Sequence, residues 1–231
     1  MSLRVLFFML ILLSQMVLGE VVASKPDHIK SDAWNKVEPY LLPEDHTLKP
    51  LLDAIFSNSR ANLSLKTMKK AGFVEAHPRR WTHLIVTTHP DVPGYVFKIY
   101  LDAQRYYNGI KEYEQWLKRI KGVHLIRDEI ERRGWQDTFK TPKKWIYILP
   151  AEPSPPKEFI RKDFILVEED MNIFDHKKNL EIWKSDWVTE EKLYQFYALC
   201  EELGLHDCTK PDNAPFSVDG KIAFVDTQTV Y

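Results

Sequence analysis

The chain has 231 residues, 44% of them apolar, with seven Trp, ten Tyr and twelve Phe. That content excludes a largely disordered chain, because burial can offset the entropy of ordering. Lys plus Arg number 32 against 33 Asp plus Glu, so no global positive field favours nucleic acid, and no nucleic-acid partner is expected.

At the N-terminus, Arg4 precedes the apolar run Val5–Leu13, and small residues follow around Gly19 and Ala23. This pattern predicts a secretory signal or N-terminal anchor over residues 1–23, since the run is shorter than the roughly 20 residues of a spanning helix. The expected location is secreted or extracytoplasmic, with membrane contact only through that segment. Residues 24–44 are polar with interspersed aromatics and Pro43, and read as an extended arm. Residues 45–231 read as a single α+β domain.

Asp45 can cap a helix running to about Asn58, with Leu48, Leu51, Leu52, Ile55 and Phe56 on one face. A short helix over 64–71 stops at Gly72, and Asn62-Leu63-Ser64 is a formal glycosylation acceptor. Two β-rich runs, Trp81–Thr88 and Tyr95–Leu101, flank a Pro/Gly turn and predict a hairpin. A helix follows over 104–133, with a break at Gly122. Its basic residues, Lys118 and Arg119 among them, read as a solvated face.

Strands are expected at 145–149 and 164–167, joined by a proline-stiffened connection. Thr189 opens another helix that Gly204 ends. Lys221–Val225 is a short strand after an Asp219-Gly220 turn. Helices, hairpin, long helix, two strands, helix, loop and strand make an α+β order rather than a βαβ alternation. Cys200 and Cys208 are too few for a disulfide framework; they are either paired or two unpaired thiols. His77, His83 and His89 recur every six residues and read as half-exposed histidines. The cluster Glu168-Glu169-Asp170 reads as a solvated turn, with a metal cluster formed with Asp226 as the alternative.

The chemistry-bearing stretch is His206-Asp207-Cys-Thr-Lys-Pro-Asp212-Asn213, then Asp219-Gly220, then Lys221-Ile-Ala-Phe-Val-Asp226. Asn and Asp held across such a hairpin can share a divalent cation, and hard oxygen ligands suit magnesium. From spacing alone, Asn213 and Asp226 equally serve turns.

This segment resembles the catalytic loop and metal-binding Asp of protein-kinase-like enzymes. The resemblance implies Asn213 and Asp226 as metal ligands, Asp207 as proton acceptor, and Lys98, on a strand after a hairpin, as the phosphate-binding lysine. Glu114, at the edge of the next helix's apolar face, is the expected carboxylate partner of Lys98. Phe164–Met171 resembles the strand and hinge where adenine docks. The implied fold is a kinase-like N-lobe sheet with helices plus a minimal, truncated C-lobe, since the chain ends five residues after Asp226. The implied function is binding of ATP and Mg, with phosphate transfer.

Several features depart from the family. There is no GxGxxG before Lys98, the Arg of His-Arg-Asp is missing, and Thr227-Gln228 stands in place of Phe-Gly. These departures imply the alternative, a non-catalytic secreted interaction protein that is pseudokinase-like or of another α+β fold and takes a protein partner. The chain is also similar to uncharacterised exported bacterial proteins.

Overall fold

The computed structural model describes residues 23–75 and 84–228. The expected leader up to residue 22, His77, His83 and the start of the first hairpin strand lie outside them. Within the stretch expected as an extended arm, residues 31–37 instead form a helix, α1 (Ser31–Val37), followed by a 3-10 turn over Glu38–Tyr40. Ala33, Trp34 and Val37 are its buried face. Burial of that face drives helix formation in a segment too short to show a clear period.

Next come α2 (Lys49–Asn58) and α3 (Leu65–Lys70). Ser64 caps α3 in a reciprocal pair with Thr67, which satisfies two otherwise orphaned N–H groups. Asn62 is fully buried and donates from Nδ2 to Asp102, so the formal glycosylation acceptor is closed off in the folded chain.

Strands β1 (Val74–Glu75), β2 (Leu84–Thr88) and β3 (Tyr95–Tyr100) follow, with the β2–β3 hairpin as expected. Helix α4 spans Glu112–Arg133. It begins later than the sequence suggested, because Asn108 takes a left-handed conformation (φ 52) in the turn before it. It also runs unbroken through Gly122, which is buried; tight packing outweighs the roughly 1 kcal/mol propensity cost of a helical glycine.

The remaining elements are β4 (Phe139–Lys140), β5 (Lys144–Ile148), β6 (Phe164–Glu169), α5 (His176–Ile182), α6 (Glu190–Leu203) and β7 (Ile222–Ala223). Thr189 caps α6 and Gly204 closes it at φ 62, as read from the sequence; α5 was not foreseen.

Five strands form one sheet in the order β1-β2-β3-β6-β5, every neighbouring pair antiparallel, while β4 and β7 make a small parallel pair. The class is α+β. Because successive strand residues face opposite sides, the sheet has two apolar faces. Phe97, Ile99, Tyr147, Ile165 and Val167 pack with Leu52 and Phe56 of α2. Ile146, Phe164 and Leu166 pack with Trp116 and Ile120 of α4 and Trp34 of α1.

A third core holds Ile126 and Ile130 of α4 with Leu199, Phe216, Ile222 and Phe224. Helix α4 therefore spans the sheet core and the lower core, and the space between them opens beside its middle. Cys200 and Cys208 are free and buried in the lower core. On the outside, Tyr194 and Tyr197 of α6 are 67% and 63% exposed.

Candidate functional site

Strand alternation decides which charges meet. Phe164 and Leu166 of β6 face α4, so Glu168 must face that side too. On β5, Ile146 faces α4, and so does Lys144, which pairs directly opposite Glu168. On β3, Phe97 and Ile99 face away, leaving Lys98 on the same side, diagonal to Glu168.

The result is a buried triad. Lys98 Nζ lies 3.1 Å from Glu168 Oε1, and Lys144 Nζ lies 3.0 Å from Oε2. Both ammonium groups donate to the carbonyl of Val225, each at 2.9 Å, and Lys144 also reaches Thr227 Oγ1 at 3.2 Å. Lys144 thus meets three acceptors, whereas Lys98 meets two and keeps one of its three donors. Burial pulls the Lys144 ammonium down to about 8, with Glu168 opposing. Burial pushes the Glu168 carboxyl up, but the two lysines outweigh it and the net shift is downward. The acidic cluster expected as a solvated turn is, at Glu168, a buried counter-ion.

The partner foreseen for Lys98 was Glu114, and the structure corrects this. Helix α4 starts at Glu112, so Glu114 falls in its first turn, where Oε2 accepts from Lys111 N at 3.3 Å. Its carboxylate serves the helix end. Among the α4 residues that line the cleft is Arg119, expected on a solvated face but only 6% exposed. Its Nη1 donates to Gln228 Oε1 at 2.7 Å, its Nη2 lies 3.5 Å from Asp226 Oδ1, and its carbonyl accepts from Thr227 Oγ1 at 2.5 Å. Residues 225–228 are therefore clamped between the sheet lysines and α4.

Asn213 holds the other side of this strip. Its carbonyl accepts from Val225 N and Asp226 N at 3.2 and 3.4 Å, and its Nδ2 donates to the Asp207 carbonyl at 2.7 Å. Asp207 lies in a 3-10 turn, His206–Thr209, with its carboxylate ion-paired to Lys210. Cys208, in the same turn, lies buried beside this strip. The Cys208 thiol donates to the Asp226 carbonyl at 3.4 Å, and burial pushes it up to about 12.

Lys98, Asp207, Asn213 and Asp226 all line one cleft of about 1090 Å³, together with Arg119, Glu168 and the 169–171 strand end; Glu114 is not among the lining residues. For a divalent cation the donor set fits poorly. Asp226 Oδ1 already faces the Arg119 guanidinium, and Asp207 and Asp212 are paired with Lys210 and His176. Among the described residues no group of three or more His, Cys, Asp or Glu could hold a metal.

Alternation along Phe164–Glu169 was a signal for Glu168 that was available in the sequence; nothing local marks Arg119. No family model matches the chain, and no curated protein or solved structure matches it either.

Proposed function

We propose that the cleft binds an adenine nucleotide and that the domain is a kinase-like binding module without phosphate transfer. The observation that carries this reading is convergence. Lys98, Asn213 and Asp226, distant in sequence, line one cleft beside the 169–171 strand end. Its volume, about 1090 Å³, is comparable with pockets that enclose small organic ligands. Leu84, Val86, Val96 and Ile173 supply apolar wall for a base. Lys98, Lys118 and Arg119 supply positive charge for phosphates,.

The reading without transfer is supported by the residue five positions before Asn213, where the kinase signature has its proton acceptor and this chain has Cys208,. A thiol held near 12 keeps its proton at neutral pH, and a general base must be free to take one up. The Asp207 carboxylate is engaged with Lys210.

Titration calorimetry of ATP against the full-length chain and Lys98→Ala tests the reading. Glu168 keeps Lys144 in the variant, so the variant is expected to fold, which a melting curve verifies. The wild type is expected to bind, and Lys98→Ala to bind about tenfold more weakly or worse, which is a loss of about 1.4 kcal/mol. Absence of binding by the wild type at millimolar ATP would overturn the proposal.

A further inference from the structure

In the cleft, a cation from the protein already stands beside the Asp226 carboxylate. Arg119 projects from α4, and its Nη2 lies 3.5 Å from Asp226 Oδ1. Its Nη1 is anchored by Gln228 at 2.7 Å. The side chain is 7% exposed, and its Nε has no hydrogen-bond partner among the described residues. A buried donor without a partner is costly, and Arg119 lines the cleft. Guanidinium groups match phosphate oxygens in a planar fork and stay charged at all accessible pH values.

Three other carboxylates of the cleft have side-chain partners. Asp207 pairs with Lys210, and Asp212 with His176 at 2.6 Å. Glu168 is enclosed by Lys98 and Lys144. A magnesium ion on Asp226 Oδ1, about 2.1 Å from that oxygen, would have to displace Arg119 or lie against its positive charge.

From this we infer that the nucleotide site works without a divalent cation, with Arg119 supplying the charge that neutralises the phosphates. The inference rests on the nucleotide reading above. It makes Asp226 the group that orients Arg119 in the empty cleft and competes with phosphate for it, rather than a metal ligand.

The test is calorimetric titration of ATP into the full-length chain, once in excess magnesium and once in excess chelator, for wild type, Arg119→Gln, Arg119→Lys and Asp226→Asn. Melting curves of each variant without ligand verify folding; Thr227 bonds the Arg119 backbone carbonyl, a contact that side-chain substitution leaves in place. The expected result is equal affinity in magnesium and chelator. Arg119→Gln should weaken binding about tenfold or more in chelator, and Arg119→Lys by less, since it keeps the charge and loses the fork. Asp226→Asn should tighten binding, on the order of threefold, because a like charge beside the phosphates is removed.

Binding that needs magnesium and is lost in Asp226→Asn would overturn the inference and leave the nucleotide reading standing. Unchanged affinity in a folded Arg119→Gln would overturn it as well. Binding in neither condition would overturn the nucleotide reading and this inference together.

Discussion

Replacing Glu168 with Gln is expected to lower the unfolding free energy by about 3–5 kcal/mol, the range seen when one partner of a buried ion pair is removed. The carboxylate is shared by two buried ammonium groups, Lys98 at 3.1 Å and Lys144 at 3.0 Å. Gln offers one carbonyl oxygen and no charge, so both lysines would remain desolvated with only neutral acceptors.

The pH profile gives a second signature. In the wild type the Lys144 ammonium titrates near 8 when folded against an ordinary 10.5. The unfolded chain therefore holds the extra proton between those values, and stability from this group rises as pH increases through that window. Glu168 acts at the acid end. Its folded value is depressed, so its contribution is present above the ordinary carboxylate range and is lost as pH falls,.

In Glu168→Gln the acid-side loss should shrink, and the alkaline rise should begin at lower pH, because the main charge opposing the desolvation of Lys144 is gone and only Asp226 still opposes it. Urea unfolding from about pH 2 to 10 measures both, the acid limb below the ordinary carboxylate value and the alkaline limb above 8,. A variant within about 1 kcal/mol of wild type, with an unchanged profile, would show the triad to be hydrated and weak.

The second large effect is expected at Asp102, which is 1% exposed. Arg60 grips it through Nε at 2.7 Å and Nη2 at 3.1 Å, and it also accepts from Lys162 N at 2.7 Å and Asn62 Nδ2 at 3.3 Å. These bonds tie the turn after α2, the end of β3 and the approach to β6 into one knot. Asp102→Asn turns half the acceptor into a donor facing other donors and leaves the Arg60 charge buried without its partner.

A loss of about 3–5 kcal/mol is again expected, a large share of the roughly 5–15 kcal/mol that holds most domains folded. Urea midpoints should fall with little change in slope. The double variant Arg60→Met with Asp102→Asn should recover part of the loss, since it removes the stranded charge. No recovery would mean that packing, rather than charge, sets the cost.

Local signals in the sequence were sufficient for some elements. The Pro/Gly turn between two β-rich runs marks the β2–β3 hairpin, Thr189 and Gly204 bound α6 closely, and the Asp-Gly turn places Gly220 at φ 82. Each depends on side chains a few residues apart. Helix α1 was missed because its stabilisation comes from α4, about eighty residues away in the chain, where Trp34 and Trp116 share a core.

The same separation governs the site. The resemblance in chain order singles out Lys98, Asn213 and Asp226, and the structure brings these three to one cleft. The partner of Lys98 depended on strand register, and that partner proved to be Glu168 on β6. Arg119 looked like one more basic residue on a charged helix. Only the return of residues 225–228 to α4 buries it, through Thr227 and Gln228.

The most direct test of the central claim is amide hydrogen exchange on the full-length chain with and without ATP. The account predicts slower exchange at residues 96–99, 167–171 and 224–228, the backbone around Lys98, the strand end and the clamped strip. Protection confined to 41–53 and 146–151, around the separate cavity of about 560 Å³ lined by Trp34, Lys49 and Tyr147, or no change anywhere, would contradict it.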